Sequence, residues 1–206
     1  MRRFTLPVMA NVITQLSQFH MPTILTKFDA AERQLLLAIR LFFKEEDAVS
    51  IHTLSEAASQ VLYDIGEEYG VQSLLRDSNR IREDKRKEWL SYIFKSRNFF
   101  KHADRDKSEM HEFKDEFNEF SLLDAVNLHT TIKKMWTPET LMFDTWFCLS
   151  KPGLLIEGTE YTKKILDLRS RPTTPSTDEK HLFDEAICSL RRGEVTIPSV
   201  TLTLGL

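Results

Sequence analysis

The sequence predicts an all-α protein, built as a helical bundle of about five core helices with a C-terminal helical extension. Three observations predict this fold class. Apolar residues recur at helical spacing over several long segments. Glycine and proline, which long helices avoid, number only 6 and 7 in 206 residues. Apolar residues make up 41 % of the chain, which is enough to fill a core at this length.

The five core helices are predicted from stripes of apolar residues with a period of 3.6. They cover about residues 26–44, 50–70, 83–102, 118–135 and 137–149, and a short helix over 8–19 precedes them. Gly70 suits the left-handed C-cap of the second helix. The fifth has the clearest start, because Thr137 suits an N-cap and Pro138 suits the first helical position. A charged connection, residues 103–117, separates the third helix from the fourth.

The chain after residue 150 is predicted to form a separate region. The predicted division is a core over residues 1–150 and a C-terminal helical extension with a tail over 151–206. A Pro/Ser/Thr-rich linker at 170–177 separates a helix at about 159–168 from a last helix at about 178–192. The linker predicts an accessory arm beyond residue 170. The tail, 195–206, is expected to be either a docked strand or disordered.

Charge and cysteine usage limit the class of protein. The net charge of −3 predicts no general attraction to nucleic acid, but residues 76–107 hold eleven Lys/Arg and six Asp/Glu, a local net of +5. Cys148 and Cys188 lie far apart in the sequence and form no CxxC pair, so we expect reduced thiols and a cytoplasmic protein. No apolar run approaches the roughly 20 residues that span a bilayer, so we expect no membrane contact. No phosphate-loop or dinucleotide pattern is present, so we expect no cofactor.

One segment carries the residue types that RNA cleavage without a metal requires, Arg97-Asn98-Phe99-Phe100-Lys101-His102. Histidine transfers protons near neutral pH, so His102 is the candidate acid/base. Arginine stays charged and binds phosphate through two donors, so Arg97 is the candidate for stabilising the phosphorane. Asn98 lies four residues before His102 and would orient its ring. Arg97 and His102 are about 140° apart on a helix, so either the Arg97 side chain would have to bend round the helix or the helix would have to loosen near Phe100.

Other residues near this segment are candidates for binding. Basic residues would contact RNA phosphates, and we expect this of Lys101, Arg105, Arg82 and Arg86. His52, in the first turn of the second helix, suits local capping or a half-buried position better than a site role. Asp104 could join His102 in binding a cation, although metal sites need three or four ligands, and we expect no metal.

The segment resembles the HEPN superfamily of small helical domains. Arg97, Asn98 and His102 match its Arg-(four to six residues)-His signature. The resemblance implies a metal-independent endoribonuclease of toxin, antiviral or RNA-processing systems, or an inactive or nucleotide-binding relative. It also implies a homodimer with two motifs across a shared cleft. HEPN toxins paired with a nucleotidyltransferase carry a tyrosine two residues after the histidine, where this chain has Asp104.

A second resemblance covers about residues 28–150. The segments 38–43, 49–54, 86–89 and 98–106 are similar to a group of uncharacterised bacterial proteins, which implies that His52 and His102 belong to one recurring architecture.

Two alternative functions stay open beside an RNA-cleaving or RNA-binding protein. One is a non-enzymatic interaction module of a toxin–antitoxin or defence pair, with a protein partner. The other is a metal-assisted hydrolase that uses His102 and Asp104.

Overall fold

The described residues form eight α-helices and no strand, which confirms the all-α prediction. The structure is a computed structural model, and it describes residues 22–79, 81–102, 104, 107–197 and 200–205. The helices are α1 (Lys27–Phe43), α2 (Ala48–Gly66), α3 (Arg86–Ile93), α4 (Lys95–Lys101), α5 (Phe117–Lys133), α6 (Pro138–Ser150), α7 (Glu160–Ser170) and α8 (Lys180–Arg191). Short 3₁₀ turns cover Glu67–Tyr69, Glu83–Lys85 and Pro152–Leu154. The helix expected at 8–19 lies outside the described residues.

Side-chain caps fix where the long helices begin. Thr26 caps α1, accepting a hydrogen bond from the Asp29 amide at 3.1 Å, and the Asp29 carboxylate accepts one from the Thr26 amide at 2.8 Å. The predicted start of α6 is confirmed, because Thr137 is its N-cap and Pro138 its first residue. None of the described helices is both long enough and apolar enough to cross a membrane.

The helix predicted over 83–102 is in fact two helices, so that prediction was wrong. The break falls at Phe94, whose backbone (φ −98°, ψ 9°) departs from helical geometry. The Phe94 ring is buried and lies between two guanidinium groups, 4.9 Å from that of Arg76 and 3.9 Å from that of Arg97. His102 then ends α4 in a non-helical conformation (φ −123°, ψ 71°).

One hydrophobic core holds α1, α2, α5 and α6 together. α2 lies between α1 and α5, and the small residues on its buried face, among them Ala58 and Ser59, permit the close approach. Most of the largest fully buried apolar side chains come from these four helices: Phe43, Phe143, Leu35, Ile39, Leu62, Leu122 and Leu128.

Helix α8 belongs to this core and does not form an arm that stands apart from it. Phe183 of α8 stacks on Phe43 with ring centroids 5.5 Å apart, and Ile187 is fully buried. The fully buried Glu139 carboxylate of α6 accepts hydrogen bonds from Arg40 at 2.6 Å and from Arg191 of α8. The boundary at residue 150 stays a prediction, but the apolar cores on its two sides are continuous.

Residues 200–205 of the tail are docked on the helices. Leu202 forms an isolated parallel bridge with Trp136, and the Thr203 amide donates to the Trp136 carbonyl at 2.9 Å. Gly205 lies so close to α1 that a Cβ there would come within 2.2 Å of Leu36 Cδ1. Any larger residue at 205 would therefore displace the tail or Leu36.

Candidate functional site

An open cleft of about 250 Å³ lies where α4 meets the segment that follows it. Its lining contains two histidines, an amide and an ammonium: Lys95, Asn98, Phe99, His102, Glu109, Met110 and His111. Asn98 and His102 are four residues apart and therefore lie on the same side of the helix, as the sequence predicts. The Asn98 side chain is exposed and makes no hydrogen bond within the described part of the chain. The sequence suggested that Asn98 orients the His102 ring, but the two side chains are not hydrogen-bonded in the structure.

His111 reaches this cleft from the segment predicted as a charged connection. Its Nε2 lies 2.8 Å from the Ser96 hydroxyl of α4, and its ring packs against Phe99 with centroids 5.0 Å apart. These contacts fix the ring against α4. Sequence reasoning missed His111 as a partner of His102, because no helical spacing relates residues nine apart across a turn.

His102 is partly accessible to solvent and has one acidic neighbour in the described part of the chain. Its side chain is 43 % exposed, and its Nδ1 lies 4.0 Å from Asp104 Oδ1. A metal site needs three or four convergent ligands. In the described ranges no group of three or more His, Cys, Asp or Glu residues is placed to hold a metal ion. His102 and Asp104 therefore supply two ligands of such a site at most.

Arg97 does not line the cleft that contains His102. Its Nη1 donates to Gln60 Oε1 of α2 at 2.8 Å, and its guanidinium lies over the Phe94 ring. Burial lowers the pKa of Arg97, while the negative charge of Glu56 on α2 opposes this shift. Arg97 therefore fixes α4 on α2. Its side chain and that of His102 do not meet at one site within the same chain.

Two of the predicted RNA-binding arginines are engaged in local structure. Arg82 pairs with Asp84 at 2.7 Å. Arg86 pairs with Glu83 at 3.0 Å and donates to the Arg76 carbonyl at 2.7 Å. Both guanidinium groups are thus partly neutralised by adjacent carboxylates.

Lysines supply the unpaired positive charge of this region. Lys101, a predicted RNA-binding residue, is exposed, and Arg105 lies outside the described residues. Four exposed lysines make no ion pair with any residue that the structure describes, and they are Lys87, Lys95, Lys101 and Lys107. Lys95 lines the cleft, but it lies two residues before the motif, so the motif did not identify it as a candidate.

Helix α3 also carries aromatic side chains at its surface. A second open cleft there, of about 400 Å³, is lined by Ile81, Lys85, Glu88, Trp89 and Tyr92. Tyr92 is 62 % exposed, and Trp89 is held by a hydrogen bond from its Nε1 to the Leu75 carbonyl at 2.8 Å. Tyr92 and Lys95 are three residues apart, on either side of the break at Phe94. This geometry offers aromatic faces beside unpaired lysines.

His52 lies in the core and not in the cleft. It is 1 % exposed, its Nδ1 is 3.0 Å from Asn118 Oδ1, and the Phe100 and Phe113 rings approach its ring edge-on. Burial lowers the pKa of His52. The histidine therefore fills a buried, hydrogen-bonded position.

Comparison with known proteins found no matching family model, no matching curated protein and no matching solved structure.

Proposed function

We propose that this protein binds RNA at the cleft formed by α4 and residues 109–111, and cleaves it there without a metal ion. The observation that carries the proposal is that His102, His111 and Lys95 line one open cleft. One imidazole removes the proton from a ribose 2′-hydroxyl, and the other donates a proton to the departing 5′-oxygen. The bond from the 2′-oxygen to phosphorus forms as the bond to the 5′-oxygen breaks, which leaves a 2′,3′-cyclic phosphate and a 5′-hydroxyl.

The roles within the motif differ from those that its spacing suggests. Lys95, at the cleft wall, takes the place of Arg97 in stabilising charge on the phosphorane. The exposed amide of Asn98 donates to a phosphoryl oxygen. Arg97 acts as a positioning residue through Gln60 and Phe94.

The surroundings of the cleft suit RNA. Exposed lysines attract phosphates, and each contact adds to the salt dependence of binding. The face of Tyr92, beside Trp89, offers a platform on which a base can stack. The local charge of +5 over residues 76–107 supports the same polyanionic ligand.

The proposal retains three expectations from the sequence. We expect a HEPN-like homodimer, which sedimentation at micromolar concentration would detect. We expect a cytoplasmic location, which agrees with Cys148 and Cys188 being free thiols. We expect no cofactor.

The test is cleavage of mixed single-stranded RNA by purified protein in EDTA. Each of His102→Ala and His111→Ala should lower the rate by about 10²–10⁴-fold, since each removes a proton-transfer group. His181→Ala, which removes an exposed histidine on α8, is the matched control and should cleave at the wild-type rate. Cleavage that survives in both cleft variants would contradict the proposal. Cleavage that EDTA abolishes would favour the metal-assisted hydrolase with His102 and Asp104.

A second candidate function is the non-enzymatic interaction module. The observation that favours it is that Arg97 is engaged with α2, while Met110 at the cleft is 98 % exposed. An exposed methionine beside aromatic residues suits a protein partner. Stable folding with neither RNA binding nor cleavage would favour this function.

A further inference from the structure

Another cleft, of about 450 Å³, lies between α5, α6 and α7 and is separate in its lining from the histidine cleft. Its volume falls within the range of small-molecule sites. Most of the lining is apolar, and it consists of Phe120, Leu123, Trp136, Phe147, Leu154 and Leu155, with Asp144, Cys148 and Tyr161 as the polar members.

The three polar residues form one hydrogen-bonded chain. The Tyr161 hydroxyl donates to Asp144 Oδ2 at 2.7 Å, and Cys148 Sγ lies 3.3 Å from the same hydroxyl. Because the hydroxyl proton goes to the carboxylate, the thiol donates to the Tyr161 oxygen. Burial raises the pKa of the Cys148 thiol to about 11, so it stays protonated as this arrangement requires. Tyr161 thus donates to Asp144 at Oδ2 alone, and no residue that the structure describes donates to Oδ1.

Asp144 has no cationic partner among the residues that the structure describes. Burial raises the pKa of Asp144, which shows that the apolar surroundings disfavour its charge, while the Tyr161 hydrogen bond opposes the shift. Lys151 does not neutralise it, because it pairs with Glu119 at 2.6 Å. A half-buried carboxylate in an apolar cleft is stabilised when a ligand brings the missing positive charge.

The walls of the cleft also favour a cation over a neutral group. Phe120, Phe147 and Trp136 contribute aromatic rings, whose faces attract ammonium groups. The Lys151 ammonium already lies 6.0 Å from the centre of the Phe120 ring. For an inorganic metal ion, the side chains of this lining offer one carboxylate and the Tyr161 hydroxyl as oxygen ligands.

We propose that this cleft binds an organic ammonium ion that carries an apolar arm. The ammonium group donates to Asp144 Oδ1, and the arm lies against Phe120, Phe147 and Trp136. This site does not depend on the RNA proposal, and it would stand if no RNA were bound.

The test compares three ligands of equal length, hexylammonium, hexanol and hexanoate, by calorimetry and by the emission of Trp136. Hexylammonium should bind roughly tenfold or more tightly than hexanol, because it adds a hydrogen bond to a charged group, and hexanoate should bind least. Asp144→Asn keeps the acceptor for Tyr161 and removes the charge, so it should bring the affinity for hexylammonium down to that for hexanol. Asp167→Asn, on the exposed face of α7, is the matched control and should bind as the wild type does.

Two further variants keep the test decisive if Asp144→Asn folds poorly. Phe120→Ala, at a residue 37 % exposed, should weaken hexylammonium binding without loss of the fold. Trp136→Phe should abolish the emission change and retain the calorimetric binding. The proposal is overturned if hexanol or hexanoate binds as tightly as hexylammonium, if Asp144→Asn binds as the wild type does, or if no probe binds.

Discussion

At the scale of single residues, His52 shows how a buried histidine is held in one protonation state. The Asn118 amide nitrogen donates to the Ala48 carbonyl at 3.0 Å, so Asn118 presents its oxygen to His52. His52 Nδ1 must therefore carry the proton. Its Nε2 is buried and has no partner in the described structure, where phenylalanine rings surround it. Burial lowers the pKa of His52, because the charged ring would lose its hydration and its second proton would have no acceptor.

This arrangement predicts a stability that falls in acid. Below the ordinary pKa of 6.5 the unfolded chain binds a proton that folded His52 does not, so the free energy of unfolding decreases as the pH falls. The slope contributed by one site is at most about 1.4 kcal/mol per pH unit. His52→Asn retains a donor for Asn118 and should flatten the dependence between pH 7 and pH 5, measured by urea unfolding.

Three charged or titratable groups influence the pKa of His52, and the control variant must leave them unchanged. Glu56 opposes the shift, while Arg97 and His111 add to it. The control His181→Asn leaves all three in place and should keep the wild-type slope. An equal slope in His52→Asn and wild type would show that another group causes the acid sensitivity.

At the scale of elements, a buried ion pair joins the loop after α2 to α5. Arg76 Nη1 lies 2.7 Å from Asp124 Oδ2, and both side chains are almost fully buried. Asp124 also accepts hydrogen bonds from the hydroxyls of Ser59 and Ser73. The Arg76 guanidinium lies between the rings of Tyr63 and Phe94 at 4.9 Å from each. The pair therefore fixes the loop against α2, α5 and the break before α4.

Asp124→Asn should destabilise the protein strongly, because it leaves the Arg76 charge buried without a counterion. Breaking one partner of a buried pair costs about 3–5 kcal/mol. Asp84→Asn removes one partner of an exposed pair and should cost less than about 1 kcal/mol. Chemical denaturation of both variants measures the difference, and equal losses would contradict the assignment.

The elements that the sequence predicts well are those with local signals. Thr137 and Pro138 mark the start of α6 by their own chemistry, and apolar periodicity finds α1 and α2. The break at Phe94 has no such signal. The Phe94 ring packs on Arg76, which lies eighteen residues earlier in the chain, and local periodicity does not reveal such a contact.

The candidate site follows the same rule. The shared face of Asn98 and His102 is predictable from helical spacing. His111 is not, because only the packing of its segment on Phe99 and Ser96 brings it to the cleft. Arg97 matches a motif in sequence, yet its direction is set by Gln60 on another helix.

At the scale of the whole molecule, the last helix closes the core. Phe183, Ile187 and Leu190 of α8 are all buried, and Arg191 reaches the carboxylate of Glu139 beneath them. The linker sequence before α8 suggested an arm that could be removed. The packing indicates instead that removal would expose Phe43 and leave Glu139 with one arginine.

A chain that ends after Ser170 should therefore be less stable than the full chain. Phe183→Ala tests the same contact without truncation and should cost about 3–5 kcal/mol, as phenylalanine-to-alanine changes in cores do. Leu166→Ala, at a residue 49 % exposed on α7, is the control and should cost far less. A shortened chain that melts at the temperature of the full chain would show that α8 contributes nothing to the core.

We propose above all that His102 and His111 act together on one phosphodiester in the cleft of α4. Single-turnover cleavage of RNA in EDTA by the wild type, His102→Ala, His111→Ala and the double variant tests it most directly. Each single variant should lose about 10²–10⁴-fold in rate. The double variant should be scarcely slower than the slower single variant, because groups that act as a unit are not additive. A wild-type rate in either single variant, or a double loss equal to the product of the two, would contradict the claim.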